Sequence, residues 1–313
     1  MSYIAACYRQ FGIFFDMHLG KLQLIKFLSM LILSIPIICR ADSLENQSTA
    51  EIHIWPHETQ GSPTLSSLQQ AIDYSYISFS PNITTIKFLI HEGTYNEQAA
   101  ILHPKHGVHY EFTSASSGEY LPSFDGHQQQ LTWLRIISTN GFGSSVTING
   151  LKIKNYVTAI SIEGDREDQS KFNAENKISN MQFENIGQTS LNSPPSTAVI
   201  RLVNSQKNEI IDNSFTNIKN IKDCNLLHSI YLAHHSSDNS IKHNSFTSFC
   251  GSAIRVRDNS NRNTAQLNSF TDIQNEQLMD QWFCDKNLRQ DCTKKQQEQY
   301  SHSNIFDMNE FSP

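Results

Sequence analysis

Hydrophobic residues recur in this chain at fixed places around a pair of asparagines. NEIIDNSFTNI begins at Asn208, NSIKHNSFTSF at Asn239 and NTAQLNSFTDI at Asn263. Each has an apolar or small residue two positions after the first Asn, a second Asn five after it and Phe seven after it. Weaker copies are NKISNMQFENI from Asn176 and NIFDMNEF from Asn304. SSVTINGLKI, from Ser144, fits the same frame with Leu151 in the Phe position. The start-to-start intervals are 32, 32, 31, 24 and 41 residues. A repeat of 24 is close to one coil of a three-sided solenoid, and the longer intervals are the same coil with loops inserted.

A second alternating segment precedes each copy: TAISI at 158, TAVIRLV at 197, HSIYLA at 228 and SAIRVRD at 252. Alternation with period two turns one side chain inward and the next outward. A single coil cannot bury its inward face, so the coils must stack. The expected inward rows are Ile200, Ile230 and Ile254, and Phe183, Phe215, Phe246, Phe270 and Phe311. Asn213, Asn244, Asn268 and Asn309 are expected at turns, where a side-chain amide can bond backbone groups of adjacent coils in a ladder.

Near the N-terminus, SPTLSSLQQAID at 62–73 carries a Ser/Thr-rich helix start and helical apolar spacing at Leu65, Leu68 and Ile72. TTIKFLIHEGTYNEQAAI follows at 84–101. This opening and the paired-strand repeats resemble right-handed parallel β-helix proteins of the pectate-lyase-like superfamily, over roughly residues 50–312. The resemblance implies an all-β fold: a right-handed parallel β-helix, or three-sided solenoid, with a short N-terminal capping helix. It says little of function, because lyases, hydrolases, esterases, epimerases, adhesins and phage tail proteins share that fold.

The first 41 residues read as a targeting segment. Lys21 and Lys26 precede an apolar run from Phe27 to Cys39, and Cys39-Arg40-Ala41 offers a cleavage site. The run is shorter than the ~20 residues of a membrane span and fits a signal peptide. MHLGKLQLIK makes the better n-region, so Met17 is an alternative start. Residues 42–313 are then one exported β-helix domain with loop insertions, secreted or periplasmic, with no stable membrane insertion after cleavage. Four cysteines remain: Cys224, Cys250, Cys284 and Cys292. An even count in an exported chain favours two disulfides with three pairings open. In the coil register all four fall after the Phe strand, where pairing Cys224 with Cys250 and Cys284 with Cys292 would staple loops. Their spacing matches no zinc pattern. No metal or other cofactor is predicted, and no motif supports calcium.

The net charge of −6 and the absence of a basic stripe argue against nucleic acid as partner. Candidate chemistry comes from stacking the second strands. Aligning Ile200, Ile230 and Ile254 puts Arg201, Tyr231 and Arg255 in one outward column. Val203, Ala233 and Arg257 form the next column. Asn204, His234 and Asp258 follow at the strand end, then Ser205, His235 and Asn259. His228 enters at the rim.

These residue types suit β-elimination on a uronate. A cation must neutralise the carboxylate, for which Arg201, Arg255 and Arg257 are candidates with a planar fork. A base must take the C5 proton: His234, His228 or Tyr231. An acid must protonate the leaving 4-oxygen: Tyr231. His235, Asp258 and Asn204 are candidate substrate contacts. The expected partner is an acidic polysaccharide, met by a monomer. The competing readings are a non-catalytic carbohydrate-binding or surface protein and a C5 epimerase. Hydrolysis ranks lower, because the paired aspartates of β-helix glycoside hydrolases are absent. Outward Arg and Tyr are also common on any solenoid. His53, His57, His91, His103, His106, His109 and His127 read as surface residues of the first coils, and Asp165, Glu167 and Asp168 as a solvated acidic loop.

Overall fold

Strands form wherever the repeat alternates. The computed structural model describes residues 48–57, 65–116, 118, 120–129, 132–188, 191, 193–272, 278–288, 292 and 297–312. The expected targeting segment lies outside them. One circuit of the chain visits three sheets in turn. Glu209–Ile211 joins the first, Ser214–Ile218 the second and His228–Ala233 the third. Ser240–Lys242, Ser245–Phe249 and Ile254–Arg257 repeat the circuit. Neighbouring coils pair in parallel on every face. Among the described residues the three sheets hold nine, eight and seven strands. This is a parallel β-helix, and parallel crossovers of this kind are right-handed in nearly all proteins.

The inward rows supply the core. Ile160, Ile200, Ile230 and Ile254 stand in one register, and all are fully buried. Phe183, Phe215, Phe246, Phe270 and Phe311 stack face to face with centroids 4.9, 4.8, 4.9 and 5.5 Å apart. That spacing matches the ~4.8 Å between strands, so the aromatic stack costs the sheet no distortion. In the copy from Ser144 the Phe position belongs to Ile153, paired with Phe183, and not to Leu151. The coil offset is the same on both sides of Gly150, so this copy's frame starts at Val146 rather than Ser144, and Gly150, with φ of +68°, takes the left-handed turn position that Asn180 and Asp212 take in the next coils.

The asparagines form two ladders. At the turn between first and second sheets, Asn213, Asn244, Asn268 and Asn309 bond in sequence through amide and oxygen at 2.9, 3.0 and 3.0 Å. The first Asn of each repeat makes a second ladder where the third sheet hands over to the first. It runs through Asn176, Asn208, Asn239, Asn263 and Asn304 at 2.7, 2.7, 2.9 and 3.0 Å. The residue before each second Asn turns left-handed: Asp212, His243, Leu267 and Met308 have φ of +57°, +55°, +58° and +52°. An L-residue resists that conformation. The buried amide ladder offsets the strain by satisfying the turn's backbone groups.

The N-terminal cap differs in detail from expectation. The helix runs Leu68–Ser78 with Ser67 as N-cap, starting later than residue 62. Leu65 precedes it and bridges to Ile54. An unforeseen strand, Ser48–Ile54, opens the first sheet. Residues 84–101 make nearly a whole coil, with strands Ile83–Ile90, Thr94–Asn96 and Ala100–Leu102. The Gln69 side chain accepts from Ile101 N at 2.7 Å and donates to its carbonyl at 3.4 Å. The helix thereby covers an edge strand that would otherwise invite pairing. No described helix is long and apolar enough to cross a membrane.

Both adjacent disulfides form, Cys224–Cys250 and Cys284–Cys292, with Cα atoms 5.3 and 5.5 Å apart. Their placement corrects the expected register. Cys224 and Cys250 follow strands of the second sheet. Cys284 and Cys292 follow Met279–Trp282, a strand of the third sheet, and so sit one corner further on.

Candidate functional site

The third sheet presents one outward column of Arg135, Ser161, Arg201, Tyr231, Arg255 and Asp280. Alternation aims these side chains outward because Ile200, Ile230 and Ile254 beside them fill the core. Tyr231 therefore lies between Arg201 and Arg255, as the repeat predicts.

None of the three arginines stands alone. Arg201 donates through Nε to Ser161 Oγ at 3.0 Å and through Nη2 to Glu163 at 3.0 Å. Arg135 grips the same Glu163 from the other side. Arg255 forms a two-bond fork with Asp280 at 2.8 and 2.5 Å. Arg257 forms another with Glu298 at 2.7 and 2.6 Å. Its remaining Nη1 donates to the Tyr231 hydroxyl at 3.2 Å, and its plane lies 4.1 Å from the Trp282 ring centroid. Among the described residues, Nη1 of Arg201 and of Arg255 makes no hydrogen bond, and the two arginines flank Tyr231.

Tyr231 and His228 share this face. Their rings are 5.7 Å apart and nearly parallel. Burial pushes the Tyr231 phenol up, against the pull of Arg257, so it holds its proton. His228 is inside strand His228–Ala233, not on a rim, and is 2% exposed. Burial first and Arg255 second lower its pKa to about 4, so the imidazole is neutral. Its Nδ1 lies 3.0 Å from the Ser252 carbonyl. A carbonyl only accepts, so Nδ1 carries the proton and Nε2 keeps the lone pair.

The strand-end residues owe their identities partly to the backbone. Asn204, His234 and Asp258 have φ of +46°, +50° and +52°, and His235 and Asn259 of +68° and +54°. Asn, Asp and His are the side chains that tolerate this region best. His234 Nδ1 lies 2.5 Å from Asp258 Oδ2 on the next coil, and His235 Nδ1 lies 3.1 Å from the Asn259 amide. Asn204 is fully buried, and its amide donates to the carbonyls of Asp165, Asp168 and Lys171. It anchors the acidic loop and exposes no atom to a substrate.

Glu163, Asp280, Trp282 and Glu298 were missed in the sequence. Asp280 follows Arg255 by one short coil, which is a usable signal. Glu298 sits in the insertion between the third and first sheets and has none. Among the described residues, His234, Asp258 and Glu298 bring one ligand atom each within 4.8 Å of one another and form a group that could hold a metal ion. Both Glu298 oxygens already face Arg257, so a cation there would meet the guanidinium at close range. The donor set fits an ion-pair network better than a metal.

Fold and face together define a class: a disulfide-stapled parallel β-helix with an Arg-, Tyr- and His-bearing outer sheet. No family model matches the chain, and no curated protein matches it. Among solved structures it is similar to the alginate lyase from Paenibacillus sp. str. FPU-7, with a TM-score of 0.54 and 10% identity, over 83% of this chain and 75% of that one. At that identity the likeness is one of fold.

Proposed function

We propose that this chain is an exported polysaccharide-active protein that cleaves uronate-containing glycans by β-elimination at the outer third sheet. The observation that carries the reading is the His228–Tyr231 pair. A neutral imidazole with its lone pair on Nε2 stands 5.7 Å from a protonated phenol. Those are the two protonation states the reaction needs. His228 takes the C5 proton at the edge it shares with Tyr231. Tyr231 gives its proton to the departing 4-oxygen, since Arg257 only donates to it. The Nη1 corners of Arg201 and Arg255 receive the uronate carboxylate across Tyr231. The two disulfides and the apolar N-terminal run support a secreted or periplasmic site of action.

The test is incubation with alginate, pectate and glycosaminoglycans while following the ultraviolet absorbance of the unsaturated uronate. Turnover that falls about 100-fold or more in Tyr231→Phe and His228→Ala supports the reading. Glycan binding without unsaturated product would make the chain a binding module. Inverted C5 in an intact polymer would make it an epimerase.

A further inference from the structure

We propose that the first sheet carries a second, independent site, a serine nucleophile at Ser145 that hydrolyses O-acyl esters on sugar hydroxyls. The outward row there is Thr85, His109 and Ser145 on three successive coils. His109 Nδ1 lies 2.8 Å from Ser145 Oγ. Its other nitrogen, Nε2, lies 3.6 Å from Glu111 Oε1. Nucleophile, base and carboxylate therefore stand in one line, with the acid at ion-pair distance. Such contacts commonly tighten only once substrate is bound. Burial is the larger influence on His109 and lowers its pKa, leaving a neutral base at pH 7.

The row lies in a shallow, open depression. Ser145 and His109 line a groove of about 340 Å³ whose walls include His106, Gly107, Phe142 and Gly143. A Cβ on Gly143 would meet the His106 ring at 2.4 Å, so a larger residue there would displace that exposed ring. Phe142 is 50% exposed, meets Phe172 edge-on at 5.1 Å and carries Lys207 Nζ 4.5 Å from its ring centroid. The rest of this exposed ring, beside a polar groove, is a platform for the apolar face of a sugar. The occupant that fits is an acylated sugar, with the ester over Ser145 and the ring over Phe142.

The chemistry balances with water as the co-reactant. Ser145 Oγ bonds to the acyl carbon while its proton passes to His109 Nδ1. The tetrahedral adduct faces the wall of Gly107, Gly143 and His106. It collapses, breaking the bond to the sugar oxygen, which takes the proton from His109. Water then adds to the acyl-Ser145, giving its proton to His109. Ser145 leaves and recovers that proton, and the products are a free sugar hydroxyl and a carboxylic acid. Glu111 is a positioning residue that holds Nε2–H; Lys87, 3.5 Å from it, shares its charge.

The test uses the whole chain with p-nitrophenyl acetate and chemically O-acetylated polymannuronate, reading nitrophenol and acetate. The expected result is turnover by the wild type, lost about 1000-fold or more in Ser145→Ala and His109→Gln, and a fluorophosphonate adduct on the peptide bearing Ser145. Glu111→Gln should lower kcat with KM held and move the acid limb of the pH–rate profile downward, because the imidazole loses the carboxylate that favours its charged form. Wild-type turnover in Ser145→Ala overturns the proposal. So does a wild type that cleaves neither ester and takes no adduct. Unsaturated uronate is read in separate assays, so failure of the elimination reading leaves this one standing, and the reverse.

Discussion

Asn244 donates its side-chain amide to Oδ1 of Asn268 on the next coil, 3.0 Å away. Its own oxygen accepts from the backbone N and the amide of Asn213, at 3.0 and 2.9 Å. The amide also serves the carbonyl of Ile210 at 2.9 Å. One side chain thus satisfies groups on three coils. Asn244→Ala orphans several buried partners, each costing about 1–3 kcal/mol, so a loss of roughly 3–5 kcal/mol is expected. Asn309 sits in the last described coil, half-buried, and its replacement should cost less. Urea denaturation of both variants checks the gradient; equal losses would contradict the ladder as the source.

Glu298 is almost wholly enclosed, with a side chain 2% exposed beside Arg257. It also accepts from Cys284 N at 2.8 Å, tying the disulfide loop to the outer face. Arg257→Ala takes the two-bond fork from the buried Glu298 carboxylate, and a cost of about 3–5 kcal/mol is expected. Urea denaturation of wild type and variant reads this, and an unchanged stability would argue against the Arg257–Glu298 fork as a structural tie.

His228 gives a pH dependence of known sign. Its folded pKa, about 4, lies below the ordinary 6.5. Between those values the unfolded chain binds the proton and the folded chain does not. Stability is therefore full above about pH 6.5 and falls as the pH drops toward 4, by up to about 3 kcal/mol. His91 and His109 are lowered too, so the informative quantity is the difference between wild type and His228→Gln. That difference should follow the 4 to 6.5 window. A flat difference would mean that the site does not hold His228 neutral.

Sequence and structure agree most closely where the geometry repeats. The rows of Ile200, Ile230 and Ile254 and of the stacked phenylalanines were legible because parallel coils force identical residues into register. The column Arg201, Tyr231, Arg255 follows from the same register. The partners that neutralise these arginines were not legible. Glu163 reaches Arg201 across one coil from the neighbouring column, and Glu298 arrives from an insertion whose path no periodicity dictates. His234 and Asp258 were found for chemical reasons, while the left-handed turn they occupy supplies a second reason for their presence. The Ser145–His109 row escaped notice because the early coils depart from the Asn repeat, so no register linked residue 109 to residue 145.

The two disulfides make contrasting predictions. Cys224–Cys250 spans 26 residues and Cys284–Cys292 spans 8. Restriction of the unfolded chain grows with loop length, giving about 3.5 kcal/mol for the first and about 2.5 kcal/mol for the second. Cys250 is also core, 5% exposed, so its loss removes packing as well. The shorter bridge instead fixes Cys284, whose N–H holds Glu298 against Arg257 and, through it, Tyr231. Replacing Cys224 and Cys250 with Ala should lower the thermal midpoint more but leave the rate of uronate elimination at permissive temperature nearly unchanged. Replacing Cys284 and Cys292 should lower the midpoint less and the rate more. Paired melting and rate measurements on the two double variants separate the effects; a rate loss confined to the first pair would break the proposed link from Glu298 to Tyr231.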